Sequence, residues 1–220
     1  MKILSYNING LKSFYNKGLL DKLFNDFKDV DVFCFQEVKA QPNDVKNIMV
    51  NYPEFLYLSN ENHIKKGYAG VLTLIRNTDF ATLNGWTDNL EPEPTNPDML
   101  KYWGGRLAMI AFDDFCLYNI YTPNSKNKEE LRKLFDNTLI KRLNKVRKPV
   151  VIVGDLNVCP TKYDYWGKYE KAINTMPGLM QFEIDGYNQI CENCRDYRYI
   201  PRLHPPQKNA NHCQETTNPK

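Results

Sequence analysis

The sequence lacks any long hydrophobic run. Its opening, MKILSYNING, holds no apolar stretch of signal-peptide length. Nothing further along approaches the roughly 18 to 20 apolar residues that a membrane-spanning helix needs. The expectation is a soluble intracellular protein without a membrane partner, cytoplasmic or, in a eukaryote, nuclear. Strong charge is also lacking. The net charge is +3 and the pI about 8.4, a mildly basic balance that permits a nucleic-acid partner without arguing for one. No internal repeat or low-complexity tract interrupts the 220 residues, a length that suits one domain. Cysteine is modest, at six. Cys34, Cys116 and Cys159 stand within or beside apolar runs, where cysteine behaves as a small buried hydrophobe. In a reducing compartment no disulfide framework is expected.

What is present reads as alternating strands and helices. KILSYN, residues 2–7, predicts a first strand, ended at the turn-prone Asn9-Gly10. Leu19, Leu20, Leu23, Phe24 and Phe27 recur at helical spacing. VDVFCFQE, residues 30–37, is a nearly continuous apolar run, as in a strand covered on both faces. A weaker helix is predicted over 43–50, a strand over 70–76, and a β-hairpin over 106–121 turning at Asp113-Asp114. The Pro- and acid-rich DNLEPEPTNPDML between them predicts an exposed loop. Asn127 with Glu130 offers a capping pair for a long helix whose apolar face is Leu131, Leu134, Phe135, Leu139, Leu143 and Val146. Residues 126–148 carry nine Lys or Arg and three acids, a pattern expected of a solvated face. VIVGDLNVCP, residues 151–160, is the last strand and its exit.

Four strands finish in polar side chains: Asn7 and Asn9, Gln36 and Glu37, Tyr121 and Asn124, Asp155 and Asn157. In open α/β sheets, sites collect at strand ends. Residues i and i+2 of a strand point the same way, which would aim Asp155 with Asn157, and Asn7 with Asn9, at one spot. Two carboxylates, Glu37 and Asp155, with several amides and no suitable Cys/His set, suit a hard, oxygen-loving cation such as Mg²⁺. Such a cation polarises a phosphoryl oxygen while a nearby carboxylate takes a proton from water. The pattern points to phosphodiester cleavage. Each residue alone is better explained as an ordinary cap or turn residue, and it is the four coincidences at strand ends that weaken that explanation.

Six segments in order, KILSYNINGLKS, DVFCFQEVKA, GYAGVLTLIR, GRLAMIAF, YNIYTPNS and PVVIVGDLNVCP, resemble the exonuclease III / abasic-site (AP) endonuclease family, within the endonuclease/exonuclease/phosphatase superfamily. The resemblance covers about residues 1 to 160 and continues more weakly through MPGLMQFEIDGYNQI and DYRYIPRLHP. It implies a four-layer α/β sandwich and Mg²⁺-dependent cleavage of double-stranded DNA at or near abasic sites by a monomer, with Mn²⁺ as the alternative metal. Carried over by residue, Glu37 is similar to the family's metal ligand, with Asn7 close to it and Asp155 and Asn157 completing the metal shell. Tyr121 resembles the tyrosine beside the scissile phosphate. Asp155 resembles the residue that positions or deprotonates the attacking water, and Asn157 the transition-state stabiliser. Asn9, where an acid often stands, and Asn124 would support that shell. Lys39, Tyr68 and Arg106 match positions near DNA.

The resemblance has limits. The family's aromatic Y-T-W-W-like strand, its R-x-D-Y motif and its terminal S-D-H have no counterpart here. An Asp of the metal and water site and an Asp-His pair on the phosphate are therefore without equivalents, and the second sheet is expected to be incomplete. NANHCQ, with His212 and Cys213, is a chance echo of the missing end. The domain is read as residues 1–200, followed by a loose tail over 201–220. Cys191, Cys194, His204, His212 and Cys213 are zinc-type ligands, but the gap from His204 to His212 is wider than finger spacing, so no zinc site is expected. Two alternatives stay open: a catalytically inactive relative that still binds DNA, and a phosphodiesterase of the superfamily with another substrate, such as a phosphoinositide or RNA.

Overall fold

A computed structural model describes residues 1–76, 86–87 and 101–193. The elements run β1 (Ile3–Asn7), α1 (Leu11–Asn16), α2 (Leu19–Asp26), β2 (Val32–Gln36), α3 (Pro42–Met49), β3 (Phe55–Asn60), β4 (Val71–Arg76) and β5 (Trp86–Thr87). They continue as β6 (Leu107–Ala111), β7 (Cys116–Tyr121), α4 (Glu129–Leu143), β8 (Val150–Asp155), a 3₁₀ turn (Lys162–Asp164), α5 (Tyr169–Ala172) and α6 (Gln181–Asn193). The strands form two four-stranded sheets, ordered β1-β2-β4-β3 and β5-β6-β7-β8. In each sheet one pair is parallel, β1 with β2 and β7 with β8, and the rest are antiparallel.

The period-two alternation of side chains sorts every strand between two environments. In β2, Phe33 and Phe35 join Leu11, Phe14, Leu20, Phe24, Val45 and Ile48 from α1, α2 and α3 in one core. Val32 and Cys34 face the other way, into a layer between the sheets with Ile75, Ile110 and Leu117. In β7, Cys116, Tyr118 and Ile120 pack beneath Phe135, Leu139 and Leu143 of α4 and Ile190 of α6. The order is thus helices, sheet, sheet, helices: the expected four-layer sandwich. No helix among the described residues is long and apolar enough to cross a membrane.

Several local expectations need correction. The helix predicted from Leu19 to Phe27 is present as α2, but a further short helix, α1, precedes it, and Gly18, at a left-handed φ of 67°, turns the chain between the two. Strand β3 was not foreseen. Asn127 does not cap α4: it is itself left-handed, at φ 57°, Lys128 occupies the cap position without a side-chain cap bond, and Glu130 pairs instead with Lys133 at 2.8 Å. The face of α4 is also not simply solvated. Leu134 is exposed, whereas Arg132 and Asp136 are buried. The hairpin at Asp113-Asp114 is present, closed by Phe112 N–H donating to Phe115 O at 2.8 Å. Cys34, Cys116, Cys159 and Cys191 form no disulfide with one another. The acidic loop over 88–100 and the tail over 201–220 lie outside the described residues.

Candidate active site

The face between the sheets changes from apolar to polar along four strands at once. Ile3, Ser5 and Asn7 share that face in β1; Val32, Cys34 and Gln36 in β2; Leu117, Asn119 and Tyr121 in β7; Val151, Val153 and Asp155 in β8. The parallel registers put Asn7 beside Gln36 and Tyr121 beside Asp155. The last inward residue of each strand is therefore polar, and all four meet at one end of the sandwich. Beneath them Asn119 is fully buried: its Oδ1 accepts from Gln36 Nε2 at 2.7 Å, and its Nδ2 donates to Thr73 Oγ1 at 3.1 Å. A buried amide costs little only when satisfied, and this one stitches the sheets together under the site.

Asn7 Nδ2 donates to Glu37 Oε1 and to Asp155 Oδ2, each at 2.9 Å. Tyr121 donates its hydroxyl to the same Glu37 Oε1 at 2.9 Å. Glu37 Oε2 is paired with Lys39 Nζ at 2.6 Å, and Lys39 also donates to Asn9 Oδ1 at 2.5 Å. Burial acts to raise the Glu37 pKa, but the bonds from Lys39, Asn7 and Tyr121 outweigh it and hold the carboxyl below its usual range. Burial, then the Glu37 charge and hydrogen bond, push the Tyr121 phenol well above its ordinary value against the opposing pull of Arg106. Tyr121 is accordingly a proton-bearing donor and Glu37 an ionised acceptor at neutral pH.

The reasoning from spacing to Asn9 and Asn157 needs correction. Neither continues its strand. Both adopt left-handed backbone, φ 48° and 47°, and their N–H groups donate back to Asn7 Oδ1 (3.1 Å) and Asp155 Oδ1 (3.0 Å). These are paired Asx-type turns, for which asparagine is well suited. Asn157 meets the cluster from this turn through its backbone N–H on Asp155. Its Nδ2 donates to Thr122 O at 2.7 Å, which uses one of its two amide protons. Gly154 makes the β8 exit passable: at φ 136° a Cβ there would sit 1.9 Å from Ile120 O.

Arg106 and Tyr68 are placed behind the cluster. Arg106 is 2% exposed. Its guanidinium lies 4.7 Å from the Tyr121 ring centroid and donates to Tyr121 O at 3.1 Å, to Tyr68 OH at 3.0 Å, and through Nε to Tyr102 O. It positions Tyr121 from inside. Asn124 is exposed and accepts from Lys126 N–H at 2.9 Å within its own turn; it is not brought into the cluster. Of the zinc-type residues, Cys191 lies on α6, and Cys194, His204, His212 and Cys213 lie outside the described residues. Among the described residues no group of three or more His, Cys, Asp or Glu comes together.

Sequence reasoning missed a second polar centre. Arg132, 2% exposed, donates from Nε to both Asp136 oxygens (2.9 Å), from Nη1 to Pro123 O (3.0 Å), Asn157 O (3.3 Å) and Glu183 Oε1 (3.4 Å), and from Nη2 to Leu156 O (3.1 Å). Glu183 Oε2 accepts from Gly178 N–H and Met180 N–H. This cluster holds the exits of β7 and β8 in fixed relation. Its one signal in sequence is the i, i+4 pair Arg132 and Asp136 beside Phe135 on an otherwise apolar face.

The model of the Endonuclease/Exonuclease/phosphatase family matches residues 4–175. DNA repair nuclease APEX1 of Danio rerio is 30% identical over 87% of this chain, and an exodeoxyribonuclease of Bacillus subtilis is 26% identical over 87%. The chain spans 59% of the first relative's length and 71% of the second's. Solved AP endonucleases from Leishmania major and Archaeoglobus fulgidus superpose with TM-scores of 0.69 and 0.68 at 21% and 20% identity. Each superposition covers 87% of this chain, with 66% and 70% of the respective structure, and shows the shared fold. By its sequence from residue 4 to 175, the chain belongs to the Endonuclease/Exonuclease/phosphatase family.

Proposed function

We propose that this chain is a metal-dependent phosphodiesterase that incises DNA at abasic sites; relatives named DNA repair nuclease and AP endonuclease support the DNA substrate. The observation that carries the reading is the convergence of Tyr121, Glu37, Asn7 and Asp155 from both sheets in one chain of three side-chain hydrogen bonds. Two carboxylates and adjoining amides, with no thiol or imidazole among them, are the hard donor set that Mg²⁺ or Mn²⁺ takes while keeping several waters. Glu37, Asn7, Asp155 and Asn157 would hold that cation. When bound, it supplies Lewis-acid polarisation of a phosphoryl oxygen.

The chain's own groups then divide the work. Asp155, its two oxygens oriented by Asn7 and by the Asn157 N–H, positions a water and accepts its proton. The Asn157 amide, which gives one proton to Thr122 O, would offer its second to the oxygen where negative charge develops. Tyr121, kept protonated by burial and by Glu37, offers a phenol beside the phosphate. Lys39, at the exposed rim, supplies a phosphate contact once it leaves Glu37. Parallel assays on an abasic duplex, an intact duplex, RNA and a phosphoinositide test the substrate class. Mg²⁺-dependent nicking of the abasic duplex, well above turnover of the others, is the expected result. Preferred turnover of RNA or phosphoinositide would reassign the substrate, and DNA binding without turnover of any would mark an inactive relative.

A further inference from the structure

Just past the β8 exit the chain builds a display of aromatic side chains that the proposed chemistry leaves unused. Trp166 is 97% exposed and Tyr163 79%. An exposed indole forgoes burial that a folded chain ordinarily secures for so large a side chain. The segment is nonetheless structured. Thr161 opens its 3₁₀ turn with a reciprocal cap: Tyr163 N–H donates to Thr161 Oγ1, and Thr161 N–H and hydroxyl both donate to Asp164. Gly167 lies against the Tyr165 ring so closely that a Cβ there would be 2.8 Å from Tyr165 Cε1. At the far end Tyr169 donates its hydroxyl to Pro160 O at 2.9 Å. The loop is thereby clipped closed three residues beyond Asn157, about 10 Å of chain at most.

Its charge is complementary to nucleic acid. Lys162, Lys168 and Lys171 are all exposed, Lys162 lies over the Tyr163 ring at 5.3 Å, and of the two acids Asp164 is held by Thr161 while Glu170 faces solvent. We propose that this loop is a stacking platform on which Trp166 takes the face of an unpaired base beside the bond to be cut, with the lysines on the flanking phosphates. A paired base inside a duplex has no free face, so the platform selects DNA whose base is displaced, mismatched or frayed. Alternating aromatic and basic side chains on an open surface are what base stacking with backbone attraction requires.

The inference rests on the DNA reading above, and its test separates the two. The probe is a fluorescein-labelled abasic duplex with one unpaired base next to the lesion, beside its fully paired counterpart. Binding is followed by anisotropy in EDTA, so that no cleavage intervenes. Trp166→Ala should weaken binding to the unpaired probe about tenfold, Trp166→Phe about threefold or less, and the parent's preference over the paired probe should vanish in Trp166→Ala. The salt slope should stay that of the parent, since no phosphate contact is removed. Both variants should unfold at the parent temperature. Equal binding by Trp166→Ala and parent would overturn the platform, as would a Trp166→Ala defect confined to anionic phosphatidylserine vesicles. Incision of the abasic duplex by the parent, measured separately, decides the function: incision without a Trp166 effect removes only the platform, and a Trp166 effect without incision removes only the nuclease reading.

Discussion

Asn7 and Asp155 lie 148 positions apart in sequence and meet at 2.9 Å, with the Asn7 amide donating to Asp155 Oδ2 and, through its other proton, to Glu37 Oε1. One amide thereby spaces two carboxylates that would otherwise repel, and joins the end of a strand in one sheet to the end of a strand in the other. The site is a property of the sandwich and of neither sheet alone.

Tyr121→Phe removes a donor from Glu37 while keeping the ring against Arg106. Glu37 is held below its ordinary range by bonds that include this one, so its pKa should rise. A carboxyl with a depressed folded pKa stabilises the fold above its unfolded value and loses that contribution as pH falls through the folded one. The variant should lose about 1 kcal/mol near neutrality, and the acidic limb of its pH–activity profile should move to higher pH. Chemical denaturation and a pH–rate series check both.

How much of this was legible from sequence follows from the range of the signal. Alternation along each strand is local, so Asn7, Tyr121 and Asp155 were readable as polar residues at strand ends, whereas Glu37 follows β2 in left-handed backbone at φ 53° and was readable only as a polar residue after a strand. The four-layer order followed from the resemblance and not from periodicity. Beyond the strands the local rule failed. Asn9 and Asn157 are in left-handed turns, where the i, i+2 rule has no hold. Arg132 and Asp136 read as surface charge because their partners, Pro123, Leu156, Asn157 and Glu183, come from three other segments. Asn119 reads as a stray amide in an apolar strand until Gln36 and Thr73 of the other sheet are opposite it.

Arg132→Met should destabilise by about 3 to 5 kcal/mol, because it leaves Asp136 and Glu183 as buried carboxylates without their cation. Arg132→Lys should recover little, since an ammonium cannot reproduce the fork that meets Asp136 and three carbonyls at once. Urea denaturation of both variants measures the difference, and any folded fraction should show a lower kcat through the slackened Asn157 turn.

Burial, reinforced by Glu183 and opposed by Arg132, pushes Asp136 up to about 6. A carboxyl whose folded pKa exceeds its unfolded one near 3.8 stabilises the fold most while protonated. Its contribution should therefore decline as pH rises from about 4 to about 6. Asp136→Asn should remove this decline, so the stability difference between parent and variant should change across that window and stay level above it. Thermal unfolding at half-unit pH steps reads it directly.

Gly154→Ala would bring a Cβ within 1.9 Å of Ile120 O, a backbone atom one residue before the end of β7. The strands must separate to admit it, at the pair of residues just before Tyr121 and Asp155. A loss of more than about 3 kcal/mol is expected, measured by denaturant midpoint, with incision falling further than stability alone would account for.

The central claim is that the Asn7–Glu37–Asp155 cluster is a metal-dependent phosphodiester-cleaving centre. Its most direct test is incision of a duplex carrying one abasic analogue, in Mg²⁺ and in EDTA, by the parent, Glu37→Gln and Asp155→Asn. The account predicts nicking by the parent in Mg²⁺ alone, reduced by about 10² or more in either variant while both stay folded. Undiminished nicking by either folded variant, or nicking that persists in EDTA, would contradict it.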